Sequence, residues 1–467
     1  MMDTSHTICA PATSVGTGAV SMVRISGADA LAVVDHVVRF RSGTAAHSPG
    51  YSLKFGTVEG LDEVLVALYR APHSYTGEDA AEISCHASPF IVSTLLERLQ
   101  EAGCRLAEPG EFTRRAFVNG KMDLAQAEAV ADVIASSTAA QHRVAANQLR
   151  GGYSAELKGL RRQLLELTAL LELELDFSEE DVEFADRSRL RELLDSACSH
   201  CRQLADSFRL GNAIRNGVPV AIVGAPNSGK STLLNALLQD DRAIVSDIPG
   251  TTRDTVEECC VLEGVLFRFI DTAGIRASSD EIERLGIERT YRKISEADII
   301  LGVIDAAEND APETFRSAVL DIAGRVDSGR QKLIILANKT DKIGVNKSVN
   351  LLYSIVSCID NKDFAFSLLE ISAKSGSGLE KLRSELVSAV GQAAFEGTLV
   401  TNARHAQALR AAAASLSSVS DGLDRGIPSD LLAEDLRAAL ASLGTITGEI
   451  TTDEVLGEIF SKFCIGK

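Results

Sequence analysis

The stretch VPVAIVGAPNSGKSTLLNALL, residues 218–238, decides how this chain is read. It runs as an apolar β-strand, a glycine loop and a helix, and its centre GAPNSGKS (224–231) fits the pattern G-x-x-x-x-G-K-S. In that pattern, backbone N–H groups cradle phosphates, Lys230 reaches the outer phosphates and Ser231 holds Mg²⁺. Asn227, Ser228, Gly229 and Thr232 complete the expected phosphate contacts. The strand before the loop and the helix after it are the context that the pattern requires.

Four further signals follow in the order of a guanine-nucleotide switch. DIPGTTRD (247–254) is a polar, glycine-containing segment in which Thr252 is expected to complete the Mg²⁺ shell. Ser246, Asp247, Ile248, Pro249, Gly250 and Thr251 belong to the same nucleotide-facing run. The apolar VLFRFI then leads into DTAG, where Asp271 is placed to reach Mg²⁺ through water and Gly274 to offer a backbone N–H to the γ-phosphate, with Thr272 and Ala273 between them. KLIILANKTD reads as a buried strand presenting Asn338, Lys339 and Asp341 at its carboxyl end, where open α/β sheets bind ligands. The Asp341 carboxylate suits the two N–H donors of guanine and would pair badly with adenine. LLEISAK adds Ser372, Ala373 and Lys374 beside the same base. Residues 216–388 are therefore expected to form a Ras-like P-loop G domain.

Ras-like switches place a water-orienting glutamine directly after DTAG. Here that position is Ile275, which cannot orient water. Among the residues alone, Glu281, Glu283 and Glu288 are open as substitutes, and Arg253 and Arg276 as sources of a transition-state cation.

At 467 residues, 45% of them hydrophobic, the chain has material for about three domains of ordinary size. ADIILGVIDAA (297–307) is too short to cross a bilayer and suits a buried strand. MMDTSHTICAPATS lacks the basic and apolar segments of a secretion signal, and nine scattered cysteines argue for reduced thiols, so a cytoplasmic protein with no membrane attachment is expected. Cys198 and Cys201 have metal-like spacing, but no second pair answers it and they lie in a helical pattern. A net charge of −18 is unlike that of a free-standing nucleic-acid binder, so any RNA is expected to be held largely through a partner protein.

Outside the centre, residues 1–120 alternate short apolar runs (GAVSMVRISG, VLVALYRA, AAEISC) with helical ones (PFIVSTLLERLQEAG), hence a small α/β domain. Residues 121–215 and 389–467 show helical periodicity, as in LRRQLLELTALLELEL and SDLLAEDLRAALASLG. The expected architecture is multidomain, α/β and α, with the G domain inserted into a discontinuous helical bundle. In the last helix, Thr451 and Glu454 have the spacing of a capping box.

GAPNSGKS, DIPGTTRD and DTAGIRASSDEIERLGIER resemble the MnmE (TrmE) family of bacterial and organellar tRNA-modification GTPases. So do SYTGEDAAEISCHAS (74–88), EPGEFTRRAFVNGKMDLAQAEAVADVIAS (108–136) and the terminal LGEIFSKFCIGK. The resemblance runs from Thr7 to Lys467, whereas a ribosome-assembly GTPase of the Era group would match the centre alone and carry an RNA-binding module.

The resemblance implies Glu283 as the catalytic residue handling water, and a K⁺ ion in place of an arginine finger. That ion would be held by Asn227, Ser246, Ile248 and Thr251, with Ser231 and Thr252 on Mg²⁺. It implies a tetrahydrofolate-binding-like N-terminal domain that contacts 5-formyltetrahydrofolate through Arg24, Glu82, Lys121 and Lys467. Ala87 and Ser88 stand where the family usually has glycines after the histidine. The resemblance also implies a homodimer and a flavin-dependent partner of the MnmG (GidA) type, carrying FAD and using NADH. Together they would add an aminomethyl or carboxymethylaminomethyl group to the wobble uridine (U34) of certain tRNAs. The terminal run would bring Lys467 to the folate, with Cys464 close by as a thiol of structural or reactive role.

Overall fold

The computed structural model describes residues 6–14, 16–176, 187–238, 257–270, 297–307, 331–343, 366–390 and 398–461, with the short pieces 295, 317, 319–320, 322–324, 326–327, 463 and 466. The chain divides into two compact units, one of Met1–Ala131, Asn147–Ser199 and Ala411–Lys467, the other of Asp132–Ala146 and His200–Arg410. No helix among the described residues is long and apolar enough to cross a membrane.

The first unit contains a seven-stranded sheet of β1 (Ile8–Pro11), β2 (Val20–Ser26), β3 (Arg39–Phe40), β4 (Ser52–Val58), β5 (Asp62–Tyr69), β6 (Ala80–His86) and β7 (Arg105–Leu106). Their order is β3-β4-β5-β6-β2-β1-β7, antiparallel except for the β1–β7 pair. Alternate residues point to opposite faces. Val64, Val66 and Leu68 of β5, Val23 and Ile25 of β2, and Ala81 and Ile83 of β6 are accordingly buried on one face, under the helices Ala30–Val37 and Pro89–Glu101. The opposite face holds Met22, Arg24 and Glu82, none of them buried.

Helices Gly152–Asp176 and Ser429–Thr447 pack along each other in this unit. The helix Asp453–Ser461 docks on Glu111–Val118, with Leu456 and Phe460 packed against Leu124 and Ala127. Gly110 (φ 69°) permits that approach, since a Cβ there would lie 2.8 Å from the Phe460 carbonyl oxygen. The expected capping box from Thr451 to Glu454 does not form, and the cap lies one residue later. The helix starts at Asp453, and Thr452 caps it by accepting the Val455 N–H at 3.4 Å through Oγ1, while its carbonyl oxygen accepts the Leu456 N–H at 3.1 Å. Three residues after Thr452 stands Val455, which has no polar group to reach back, so no box closes.

The second unit is built on six strands, β8 (Val218–Val223), β9 (Glu257–Leu262), β10 (Val265–Ile270), β11 (Ile299–Asp305), β12 (Lys332–Asn338) and β13 (Phe366–Glu370). Their order is β13-β12-β11-β8-β10-β9, parallel except for the β9–β10 hairpin. All six residues of β8 are buried because both faces are covered. Val218, Val220 and Ile222 face Leu233 and Leu237 of the helix Lys230–Leu238 and Leu382 and Leu386 of the helix Leu379–Val390, while Ala221 and Val223 face Val319 and Ile322. The hairpin turns through Glu263 (φ 48°) and Gly264 (φ 83°), two consecutive left-handed residues as a tight two-residue turn requires. β8 lies between β10 and β11, at the point where the strand order reverses, so the loop leaving its carboxyl end opens into the crevice where such sheets bind ligands.

Candidate guanine-nucleotide site and N-terminal polar site

The loop after β8 begins with Gly224, where a Cβ would stand 2.1 Å from the Val303 carbonyl oxygen of β11. Asn227 takes a left-handed conformation (φ 62°), and Gly229 has φ 99°. At Gly229 a Cβ would meet Asn338 Nδ2 at 2.2 Å, so both backbone and space demand glycine. The helix Lys230–Leu238 then starts, aiming its first N–H groups at the loop, as anion sites at helix N-termini do. Lys230 Nζ donates to the carbonyls of Gly224 (2.9 Å) and Ala225 (2.7 Å), and Ser231 and Thr232 are exposed at the rim.

The second wall comes from the ends of β11 and β12, paired so that Asp305 lies opposite Asn338. Asn338, 2% exposed, is a brace: its Nδ2 donates to the Ser228 carbonyl at 2.8 Å and its Oδ1 accepts the Ala373 N–H at 3.0 Å. It ties the phosphate loop to the SAK segment. Lys339 Nζ donates to the Asn227 carbonyl at 2.8 Å and pairs with Asp305 Oδ2 at 2.5 Å. Asp341 is exposed, with Oδ1 accepting the Ser372 hydroxyl at 2.7 Å, which fixes the orientation of that carboxylate. Ser372 and Ala373 are buried and Lys374 is exposed. Asn227, Ser228, Asn338, Lys339, Asp341, Ser372 and Ala373 are thus drawn into one hydrogen-bonded wall, with Gly229 close against Asn338.

Asp305 was not singled out by its sequence. Its signal is an acidic residue closing the apolar run IILGVID, level with the motif on the next strand, and it is visible only once the register is known.

In the N-terminal sheet, Arg24 and Glu82 are direct cross-strand neighbours. Arg24 Nε and Nη2 both reach Glu82 Oε1, at 2.9 and 2.8 Å, and Tyr69 Oη donates to Oε2 at 3.2 Å. The Arg24 guanidinium lies 5.2 Å from the Tyr75 ring centroid and 5.8 Å from that of Phe112, within cation–π range. Burial pushes the Tyr69 phenol above its ordinary pKa, and the adjacent Glu82 charge adds to the shift. Burial also raises Tyr75, against a hydrogen bond with Thr113 and the charge of Arg24.

The C-terminal run returns here: the Gly466 carbonyl is 3.5 Å from Arg24 Nη1, and a Cβ on Gly466 would lie 2.0 Å from the Pro11 carbonyl oxygen. Lys121 Nζ donates to the Pro72 carbonyl at 2.9 Å rather than to the Arg24–Glu82 pair. His86 bonds Asp62 through both its ring Nδ1 and its backbone N–H, each at 2.8 Å. Cys198, on the helix Arg187–Asp206, is buried with its thiol 3.5 Å from the Ser417 hydroxyl, and Cys201 is buried on the same helix.

Ser246, Asp247, Ile248, Pro249, Gly250, Thr251 and Thr252 lie outside the described residues, as do Asp271, Thr272, Ala273, Gly274, Glu283, Cys464 and Lys467. The open alternatives Glu281, Glu288, Arg253 and Arg276 lie outside them too.

A family model described as the MnmE helical domain matches residues 124–464, and one described as the GTP-binding protein TrmE N-terminus matches residues 7–121. The chain belongs to the MnmE family. The tRNA modification GTPase MnmE of Bacteroides fragilis is 48% identical over 99% of both chains, and that of Christiangramia forsetii 46% identical over 100% of both. Among solved structures, Aquifex aeolicus Era bound to GDP·AlF4⁻ is 28% identical, with a TM-score of 0.30, covering 42% of this chain and 66% of its own. As an MnmE-family member with a P-loop G domain, the chain is a GTP hydrolase involved in tRNA modification.

Proposed function

We propose that this GTPase is activated by K⁺ and acts as a homodimer with a flavin-dependent partner. Together they would add an aminomethyl or carboxymethylaminomethyl group to U34 of certain tRNAs, the methylene carbon coming from a tetrahydrofolate one-carbon unit and the nitrogen from ammonium or glycine, in the cytoplasm. The supporting observation is the wall described above, in which Asn338 and Lys339 hold two consecutive phosphate-loop carbonyls, at Ser228 and Asn227, while Ser372 orients Asp341 toward a base. Domain edges at residues 120, 215 and 388 belong to the same reading.

The residues present suit the groups this reading requires. Asn227 has its carbonyl engaged by Lys339 and its side chain exposed, so its amide oxygen is the group that would hold K⁺, with Ser246, Ile248 and Thr251. Ser231, exposed at the helix start, and Thr252 would hold Mg²⁺. When bound, K⁺ supplies positive charge where negative charge develops on the transferring phosphoryl group. Lys230 binds the outer phosphates, and Glu283 orients water in place of the absent glutamine.

At Glu82, Oε1 takes two donors from Arg24 and Oε2 one from Tyr69. A carboxylate accepts about four hydrogen bonds, so one further donor fits without displacement and two would move Tyr69 aside. That open acceptor position suits the N–H donors of an amino-substituted heteroaromatic ring such as a pterin. Lys121 and Lys467 would serve its carboxylate tail.

The test is reconstitution with the FAD-bound partner, NADH, unmodified tRNA, GTP, the folate, and ammonium or glycine as the nitrogen source, followed by mass analysis of the wobble nucleoside. The U34 product is expected only when GTP and folate are both present. Product formed equally without GTP would overturn the reading.

A further inference from the structure

The wall of the nucleotide site contains a charged link whose consequence reaches beyond holding the base. Asp305 closes β11 with 6% of its surface exposed. Its Oδ1 accepts the Ala307 N–H at 2.9 Å, which fixes the carboxylate plane, and its Oδ2 pairs with Lys339 Nζ. Lys339 sits two residues before Asp341, the group that reads guanine, and its Nζ donates to the Asn227 carbonyl at 2.8 Å. Asn227 and Lys339 are both non-glycine residues in the left-handed region, at φ 62° and 66°. Such conformations persist where the surroundings over-determine them. The Asn227 side chain is exposed, so packing does little to direct it. Its aim follows from its backbone, and its carbonyl is gripped by an ammonium that a buried carboxylate holds in place.

We propose that Asp305 is a positioning residue which, through Lys339, fixes the backbone of Asn227 and so sets the geometry of the monovalent-cation site. The proposal rests on the K⁺ reading above. The buried charge is the essential element. An ammonium has three donors and strong hydration, so without the carboxylate it turns to solvent and releases the Asn227 carbonyl. Asp305→Asn keeps the size and the acceptor for Ala307 while removing that charge. Ser372→Ala is the matched control, because it loosens Asp341 without touching the link to Asn227.

The experiment uses the full chain with fluorescent N-methylanthraniloyl-GDP. Two quantities are read: affinity for the nucleotide alone, and the K⁺ concentration giving half-maximal formation of its complex with fluoroaluminate. Asp305→Asn is expected to raise the K⁺ midpoint about tenfold, the scale of one lost charge-assisted hydrogen bond, with a smaller loss in affinity for the nucleotide alone. Ser372→Ala is expected to weaken nucleotide binding while leaving the midpoint where it was. Lys339→Met, which deletes the same link from its other end, should shift the midpoint as Asp305→Asn does, and stands in if that variant does not fold. An unshifted midpoint in the folded variants, beside a K⁺-responsive wild type, overturns the link alone. A wild type whose complex forms equally in K⁺ and Na⁺ overturns the cation reading and the link with it.

Discussion

The nucleotide wall and the Arg24–Glu82 site are assembled over different distances along the chain. The phosphate loop spans residues 224–231, and Asn338, Lys339 and Asp341 fall within four positions. Arg24 and Glu82 are separated by 58 residues, and Gly466 reaches Arg24 from 442 residues away. A loop at the end of a buried strand announces itself because its backbone needs glycine at fixed places and its neighbours are apolar. A cross-strand pair carries no such signature, since any polar residue on an open sheet face has the same local pattern, and register alone decides which of them meet.

The strongest way to break the first half of this comparison is Gly229→Ala. The residue combines a left-handed φ with a Cβ position 2.2 Å from Asn338 Nδ2. Backbone strain and the displaced brace together amount to about 3 kcal/mol, so guanine-nucleotide affinity should fall roughly 10²-fold in a calorimetric titration. A loss below threefold would mean that the loop is not held in this form. The second half is tested by Glu82→Ala, which leaves the partly buried Arg24 without its carboxylate. A stability loss of about 1–3 kcal/mol by denaturant unfolding is expected. Affinity for 5-formyltetrahydrofolate should fall with it, and affinity for GDP should not change.

A third variant tests by pH a polar cluster in the same unit whose partners lie within six residues of Glu111. Burial alone would raise the Glu111 carboxyl, but Arg105, the Glu108 N–H and Arg115 outweigh it and hold Glu111 below its ordinary value. A depressed carboxylate stabilises the fold above its unfolded pKa, near 4.5, and that contribution is lost as pH falls through the lower folded value. Glu111→Gln should therefore melt well below wild type at pH 7, with the gap closing on acidification below pH ~4. A gap that stays constant with pH would contradict this. The smallest effect is expected at the β9–β10 turn, where Glu263 pays for a left-handed φ of 48° that glycine adopts freely. Glu263→Gly should raise stability by about 0.5–1 kcal/mol, read from the thermal midpoint, without altering nucleotide affinity.

Much of the second unit was legible because its strands are continuous apolar runs ending in motif residues, as VPVAIV does before GAPNSGKS. What the residues did not disclose has physical reasons. Asn338 reads in NKTD only as a residue at the ligand-binding end of its strand, and the geometry adds that it is a buried brace between Ser228 and Ala373. Asp305 looks like an ordinary strand end until β11 and β12 are aligned. Thr451 and Thr452 are chemically identical, and the choice of cap depends on which carbonyl accepts the first helical N–H. In the N-terminal sheet the helix Pro89–Glu101 and strands β5 and β6 follow their patterns. The Tyr69–Glu82–Arg24 chain, by contrast, needs the β5–β6–β2 order before it exists.

The most direct test of the central claim is the steady-state GTP hydrolysis rate in K⁺ and in Na⁺ at equal ionic strength. A cation that stands in for an arginine finger should favour K⁺ by well over tenfold, on the way to the ~10³–10⁵ that a finger supplies. Equal rates would contradict the account, and the roles given to Asn227, Ser246, Ile248 and Thr251 would fall with it.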